Sequence, residues 1–250
     1  MLPVDDLGEP VPLPAPPRRV VSLVPSLTEA VDPAVLVGAT DYCTHPPDLA
    51  VERVGGSKYP AVDRVLALRP DLVLANSEEN RPQDVERLRA DGVPVWVTAA
   101  PATVPAALGS LRRLLATAWD AEPAWLVEAE RLWREVLPPR ATALVPVWRK
   151  PWVVVGRDTF AGDVLRRLGV VNAYADHPDR YPRPPLAELR ERAADLVVLS
   201  DEPYLFTPDD GPQFFPDLRP VFVSGRHLTW YGPSLVEARA ALERAFRDQP

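Results

Sequence analysis

A single cysteine among 250 residues leaves no means of building an internal disulfide framework, and the three histidines fall into no spaced ligand motif. The chain has no glycine-rich phosphate loop, no G-x-S-x-G and no H-E-x-x-H. The common signatures of nucleotide binding, acyl transfer and zinc-peptidase chemistry are therefore missing. GDVLRRLGVVN holds two glycines without the G-x-G-x-x-G spacing. Basic runs are also absent: 28 Lys and Arg stand against 35 Asp and Glu, for a net charge of −7, so nucleic acid is not an expected partner. Long apolar runs are lacking too. DLVVLS is strand-sized, far short of the ~18 residues a membrane helix needs, and no membrane span is expected. The opening MLPVDDLGEPVPLPAPPRR carries acids where an export signal has bases, and prolines where it has an apolar stretch. As written, the chain reads as cytoplasmic; it reads as extracytoplasmic if a leader has been trimmed.

What is present is enough apolar sequence for a real core, 46% hydrophobic against 25% charged, with 32 prolines placed mainly between periodic segments. RVVSLV (19–24) and VLVGAT (35–40) have the composition of buried strands. VDRVLAL (62–68) has helical spacing and leads into DLVLAN (71–76). PQDVERLRADG (82–92) reads as a helix closed by Gly92, followed by the strand PVWVT (94–98). Helix and strand in alternation predict a parallel α/β sheet.

The same arrangement recurs. Asp71-Leu-Val-Leu has a counterpart in Asp195-Leu-Val-Val, 124 residues on, and Pro94-Val-Trp-Val in Pro220-Val-Phe-Val, 126 residues on. That separation is too long for a solenoid period and suits two similar α/β lobes. Between the repeats lie two helical stretches, VPAALGSLRRLLATAW (104–119) and EPAWLVEAERLWREVL (122–137). The second predicts a 16-residue helix, ~24 Å long, joining the lobes. SLVEARAALERAFRD (234–248) predicts a closing amphipathic helix.

Two kinds of residue stand out as candidates for chemistry. Cys43 and His45 in TDYCTHPPD are a possible metal pair or thiol site, with His177 and His227 as distant partners; the alternative is a loop in which they do no chemistry. Ligands of open α/β sheets gather at the carboxyl ends of strands. Tyr204, Phe206 and Trp230 follow strand positions in the second lobe, and Tyr42, Asn76, Glu79 and Asn80 in the first. Together they would suit a large flat ligand held by stacking and a few polar groups.

RRVVSLVPSLTEAV, VGATDYCTHPP, VDRVLALRPDLVLAN, DGVPVWVT, GRDTFAGDVLRRLGVVNAY, the DLVVL segment and HLTWYGPS follow one another over residues 18–248. In this order they resemble the ABC-importer substrate-binding proteins with a helical backbone, which include vitamin B12-binding and ferric-siderophore-binding proteins. The resemblance implies two α/β lobes with parallel sheets joined by one long helix, and a ligand cleft between the lobes. It implies a corrinoid, haem or metal-siderophore type ligand, cobalamin or another metal chelate, with no cofactor required and no catalytic residue. Tyr42 matches a corrinoid-contacting tyrosine, and Tyr181 lies beside another such position. Ser57 to Tyr59 and Asn76 stand where the B12-binding proteins carry tryptophans. Asp63 and Glu188 match surface carboxylates that dock on an ABC permease.

The expectation is thus a non-enzymatic, monomeric solute-binding protein. Its parts are a proline-rich segment (1–17), an N-terminal lobe (18–119), a connecting helix (120–138) and a C-terminal lobe with the closing helix (139–250). The alternative is a cytoplasmic metal- or cofactor-handling protein or enzyme on the same scaffold, using Cys43 and His45.

Overall fold

The computed structural model describes residues 2–248, and the chain falls into two compact units. The first takes residues up to Ala100, Leu108–Val127 and Tyr231–Pro233; the second takes Pro101–Ala107, Glu128–Trp230 and the residues from Ser234 on. In chain order the first group of elements is β1 (Val20–Ser22), α1 (Pro25–Ala30), β2 (Leu36–Ala39), β3 (Glu52–Arg53), α2 (Val62–Ala67), β4 (Leu72–Asn76), α3 (Pro82–Ala90) and β5 (Val95–Thr98). Helices α4 (Val104–Trp119) and α5 (Ala124–Leu132) follow. Then come β6 (Ala141–Leu144), β7 (Pro146–Trp148), β8 (Val153–Val154), α6 (Phe160–Arg167), β9 (Val170–Asn172), α7 (Leu186–Glu191), β10 (Leu196–Ser200), β11 (Arg219–Val223), α8 (Gly225–Thr229) and α9 (Leu235–Asp248).

Each unit is built on a parallel sheet, in the order β3-β2-β1-β4-β5 in the first and β11-β10-β6-β9 in the second. The predicted repeat is the pair β4 and β10, every residue of which is buried. Such continuous apolar runs mark strands covered on both faces. The aspartate that opens each repeat has a structural task. Asp71 accepts from the backbone N–H groups of Arg18 and Arg19 at 2.9 Å, fixing the entry to β1, and Asp195 accepts from Thr142 N at 2.7 Å, fixing the entry to β6.

Helix boundaries follow local chemistry. α3 begins at Pro82 and its chain reverses at Gly92, whose φ of +81° is open to glycine at no steric cost. α6 is capped by Thr159, whose hydroxyl accepts from Gly162 N. Gly156 is required by close approach, because a Cβ there would lie 2.2 Å from the carbonyl oxygen of Asp179.

One element differs from its sequence pattern. The helix expected over 122–137 is α5, only nine residues, and the 16-residue helix is α4. Beyond Leu132 the carbonyls turn to tertiary donors: Arg239 Nη1 donates to the oxygens of Leu132 and Glu135, and Arg167 Nη1 to that of Trp133 at 2.5 Å. Trp133 in turn donates from Nε1 to Leu235 O at 2.8 Å. Pro138 and Pro139 ahead disfavour helix continuation in any case.

The proline-rich start is part of the first unit. Asp5 is buried, pairs with Arg89 at 2.7 Å, and accepts from the N–H groups of Leu7, Glu9 and Val97. Asp6 accepts from Ala99 N, Ser110 and Arg113, and its own N–H donates to Val97 O. These residues pair along β5, which would otherwise be an open edge. Replacing Asp5 with Ala strands a guanidinium and three N–H donors, so Asp5→Ala should lower stability by about 2–4 kcal/mol in urea unfolding monitored by circular dichroism.

Candidate ligand-binding site

In the first unit the carboxyl ends of β2, β3 and β4 present Tyr42, Tyr59 and Glu79. Tyr42 is 65% exposed, beside Gly56, where a Cβ would come within 3.4 Å of its ring. Tyr59 is 69% exposed, with the Arg81 guanidinium 4.6 Å above its ring centroid. Tyr59 is absent from the residues expected to bind ligand. The signal for it was local: an aromatic held between Gly55-Gly56-Ser57-Lys58 and Pro60, directly after a strand, has no apolar periodicity to bury it.

Glu79 is half-buried. Burial lifts its carboxyl from the usual 4.5 to about 7, Glu78 adds to the rise, and Lys58 opposes it. Lys58 is held there by donating from Nζ to Glu78 O at 3.1 Å.

Asn76 and Asn80, expected as ligand contacts, build the loop instead. Both are buried. Asn76 Nδ2 donates to Thr98 Oγ1 and to the Tyr231 hydroxyl, each at 3.0 Å, while its Oδ1 accepts from Glu78 N and Glu79 N. Asn80 Oδ1 accepts from Asn76 N at 2.8 Å, and its Nδ2 donates to Ser57 O and Leu23 O. Their amides are committed to partners within the unit, and Asn76 fixes the backbone at Glu79.

Cys43 is fully buried. Thr28 donates to its sulfur at 2.9 Å and the Thr40 hydroxyl lies 3.1 Å away. Burial pushes the thiol up, Thr28 and Thr40 pull it down, and the charge of Glu79 raises it further. A raised, enclosed thiol is a poor nucleophile and a poor metal ligand. Arg53 clamps the same loop by donating to the carbonyls of Thr40 and Cys43 at 2.9 Å. His45 Nδ1 lies 3.1 Å from Thr44 Oγ1, His177 Nδ1 accepts from Asp179 N, and His227 Nε2 lies 3.3 Å from Glu237. Among the described residues, no group of three His, Cys, Asp or Glu is arranged to hold a metal.

The second unit offers a different surface. Tyr204 is half-buried, donates to Asp210 at 2.6 Å and accepts from Arg149, which pairs with Asp210 at 2.9 Å. Trp148 meets Tyr204 edge-on at 5.6 Å and is 43% exposed; Leu205 and Tyr181 are exposed as well. Phe206 and Trp230 do not join this surface. Phe206, 3% exposed, stacks on Trp152 within the core, and Trp230, 5% exposed, donates a hydrogen bond to Glu202. Burial, and then Asp201, raise the Glu202 carboxyl.

The two expected docking acids sit alike. Asp63 lies in the first turn of α2, which leads into β4, and Glu188 in the first turn of α7, which leads into β10. Asp63 pairs with Arg87 of α3. Glu188 accepts from the Tyr174 hydroxyl at 3.0 Å; burial and this carboxylate push Tyr174 up to about 12.

Two α/β units with parallel sheets, carrying aromatic and acidic residues at their strand ends, are an arrangement suited to ligand binding. The chain belongs to the periplasmic binding protein family, which matches residues 24–215. It is 24% identical over 202 residues to the vitamin B12-binding protein of Vibrio cholerae serotype O1, covering 75% of this chain and 72% of that one. It is 28% identical over 198 residues to the vitamin B12-binding protein of Salmonella typhi, covering 73% and 72%. Among solved structures, the periplasmic vitamin B12 binding protein of Vibrio cholerae superposes with a TM-score of 0.71 at 18% identity, covering 93% of this chain and 99% of that one. CeuE of Helicobacter pylori with Ni(II) bound superposes at 0.77 and 14% identity, covering 99% and 89%. The periplasmic heme-binding protein BhuT in complex with two hemes superposes at 0.71 and 24%, covering 93% and 98%.

The chain is a substrate-binding protein and not an enzyme. The alternative of a cytoplasmic cofactor-handling role finds no support in these relatives, most of them binding proteins and several periplasmic by name. Among the described residues no helix is long and apolar enough to cross a membrane.

The Glu79 carboxyl titrates higher in the folded chain than unfolded. The native state therefore holds the extra proton between the two values, and stability falls as pH rises through that window. Glu79→Gln should be nearly neutral at pH 4 and stabilising at pH 8 by about 1–2 kcal/mol once solvent access is allowed for, read as the difference in thermal midpoints at the two pH values.

Proposed function

We propose that this chain is the solute-binding component of an ABC-type importer and takes a corrinoid, haem or metal-siderophore type ligand. The observation that carries this reading is the pair of exposed tyrosines, Tyr42 and Tyr59, at adjacent strand ends with Glu79 close by, in a chain whose curated relatives are named vitamin B12-binding proteins. Tyrosines fixed on rigid strand ends lose little conformational freedom on binding and offer both a ring face and a hydroxyl. A carboxyl titrating near neutrality donates a hydrogen bond to amide or carboxylate groups of a ligand when protonated, and accepts one when charged. Taken by itself, the second unit carries its own aromatic candidates in this reading, Tyr181 and the Trp148–Tyr204 surface.

Asp63 and Glu188 are the proposed contacts to the permease. Each is exposed, and each is placed by the same helix-before-strand geometry. A carboxylate in the first turn of a helix also faces favourable backbone dipoles, which add to the contacts with Arg87 and Tyr174 in holding each acid in place. The protein acts outside the cytoplasm, as a monomer, in this reading.

Titration of the purified chain with cyanocobalamin, cobinamide, hemin and ferrichrome, followed by tryptophan fluorescence, should give saturable quenching with at least one of them. Tyr42→Ala should weaken that binding by about tenfold, the loss expected for one stacked aromatic contact. Absence of saturable quenching with all four would remove the reading.

A further inference from the structure

The first unit has a concavity away from the carboxyl ends of its strands. This pocket of about 540 Å³ is walled by Val31, just past α1, by Leu115 and Trp119 at the end of α4, and by Trp125 at the start of α5. It lies toward the amino ends of the sheet. Its lining residue Val35 directly precedes β2, and Trp119 Nε1 donates to Pro17 O, three residues ahead of β1. It therefore stands apart from Tyr42, Tyr59 and Glu79. Helix α1 stops at Ala30 and the chain turns at Asp32-Pro33, and beside this turn Trp119 stays half-exposed over the buried Leu115.

Its chemistry is one-sided. The two indoles are half-buried, and the charged side chains in the lining are all carboxylates, Glu29, Asp32 and Glu122, with no Lys, Arg or His. Arg112 reaches Glu122 from outside the lining, and Asp32 uses Oδ1 to accept from Ala34 N at 2.9 Å. Indole faces and carboxylates both attract positive charge, and the apolar walls favour a ligand with a hydrocarbon body. An organic anion would meet three carboxylates. A bare metal ion would meet no ligand group of the required size.

We propose that this pocket is a separate binding site for an organic cation of the substituted-ammonium class, with its apolar groups against Trp119, Trp125 and Leu115 and its charge toward Asp32 and Glu122. The site is independent of the ligand proposed for the carboxyl ends of the strands.

Isothermal titration of the full chain with benzyltriethylammonium, and in parallel with benzenesulfonate, tests it. The ammonium should bind saturably at one site and the sulfonate should not. Trp125→Ala should weaken ammonium binding about tenfold, from loss of the cation–π face. Asp32→Asn keeps the side-chain oxygen that caps Ala34 and removes only charge; it should weaken binding about threefold. The proposal is overturned if the wild-type chain fails to bind the ammonium, if the sulfonate binds equally well, or if both folded variants bind as the wild type does. Should Trp125→Ala not fold, the comparison of wild type with Asp32→Asn decides in the same way.

Discussion

A central parallel strand buried along its whole length constrains everything else in each unit. β4 and β10 have no exposed residue, so neither can carry a functional group along its faces. Polar chemistry is driven to the strand ends, where backbone groups leave the ladder and need new partners. At the amino ends Asp71 and Asp195 supply them; at the carboxyl end of β4 the Asn76 side chain does so with five hydrogen bonds. Glu79 can sit half-buried in a fixed place because that asparagine has already satisfied the loop around it.

Two acids of the first unit show how the same chemistry is given different uses. Asp5 is enclosed by a guanidinium and three N–H donors, which consume its acceptor capacity and leave it a fastening. Glu79 is desolvated with only the amine of Lys58 to oppose the effect, and its proton is correspondingly easy to keep. A carboxyl that no partner holds charged keeps its capacity for a ligand, whereas Asp5, buried and enclosed by four donors, has none left.

Much of this was legible in the sequence. Proline and glycine punctuate the chain so that strands and helices of the first unit are separable by eye, and the duplicated Asp-Leu-Val segments identify the two central strands. The helix over 122–137 was misjudged in length because its periodicity is real but its last carbonyls are taken by Arg167 and Arg239, residues far away in sequence. The site was only partly readable. An asparagine at a strand end has the same composition whether it faces a ligand or ties a loop. Phe206 and Trp230 sit next to polar turn residues and still point into the core, because the rings that cover Phe206 come from a hairpin some fifty residues earlier and the carboxylate that holds Trp230 from the end of another strand. Tyr42 was expected at a strand end and stands exposed there; Tyr59 was missed, although the glycine-rich turn before it leaves it on an exposed corner.

The fastening of Asp5 and Asp6 has a consequence for the order in which the chain assembles. Their partners Arg89, Val97, Ala99, Ser110 and Arg113 lie 84 to 107 residues downstream. Asp5 and Asp6 are therefore synthesised before their partners and wait, unpaired, until β5 and α4 have been made, and closing so long a loop is slow. Until that loop closes the edge of β5 stays open to any other strand, and the carboxylates and prolines of the waiting segment disfavour its pairing elsewhere. The composition that makes residues 2–17 look like a tail is what lets them arrive late and close the sheet.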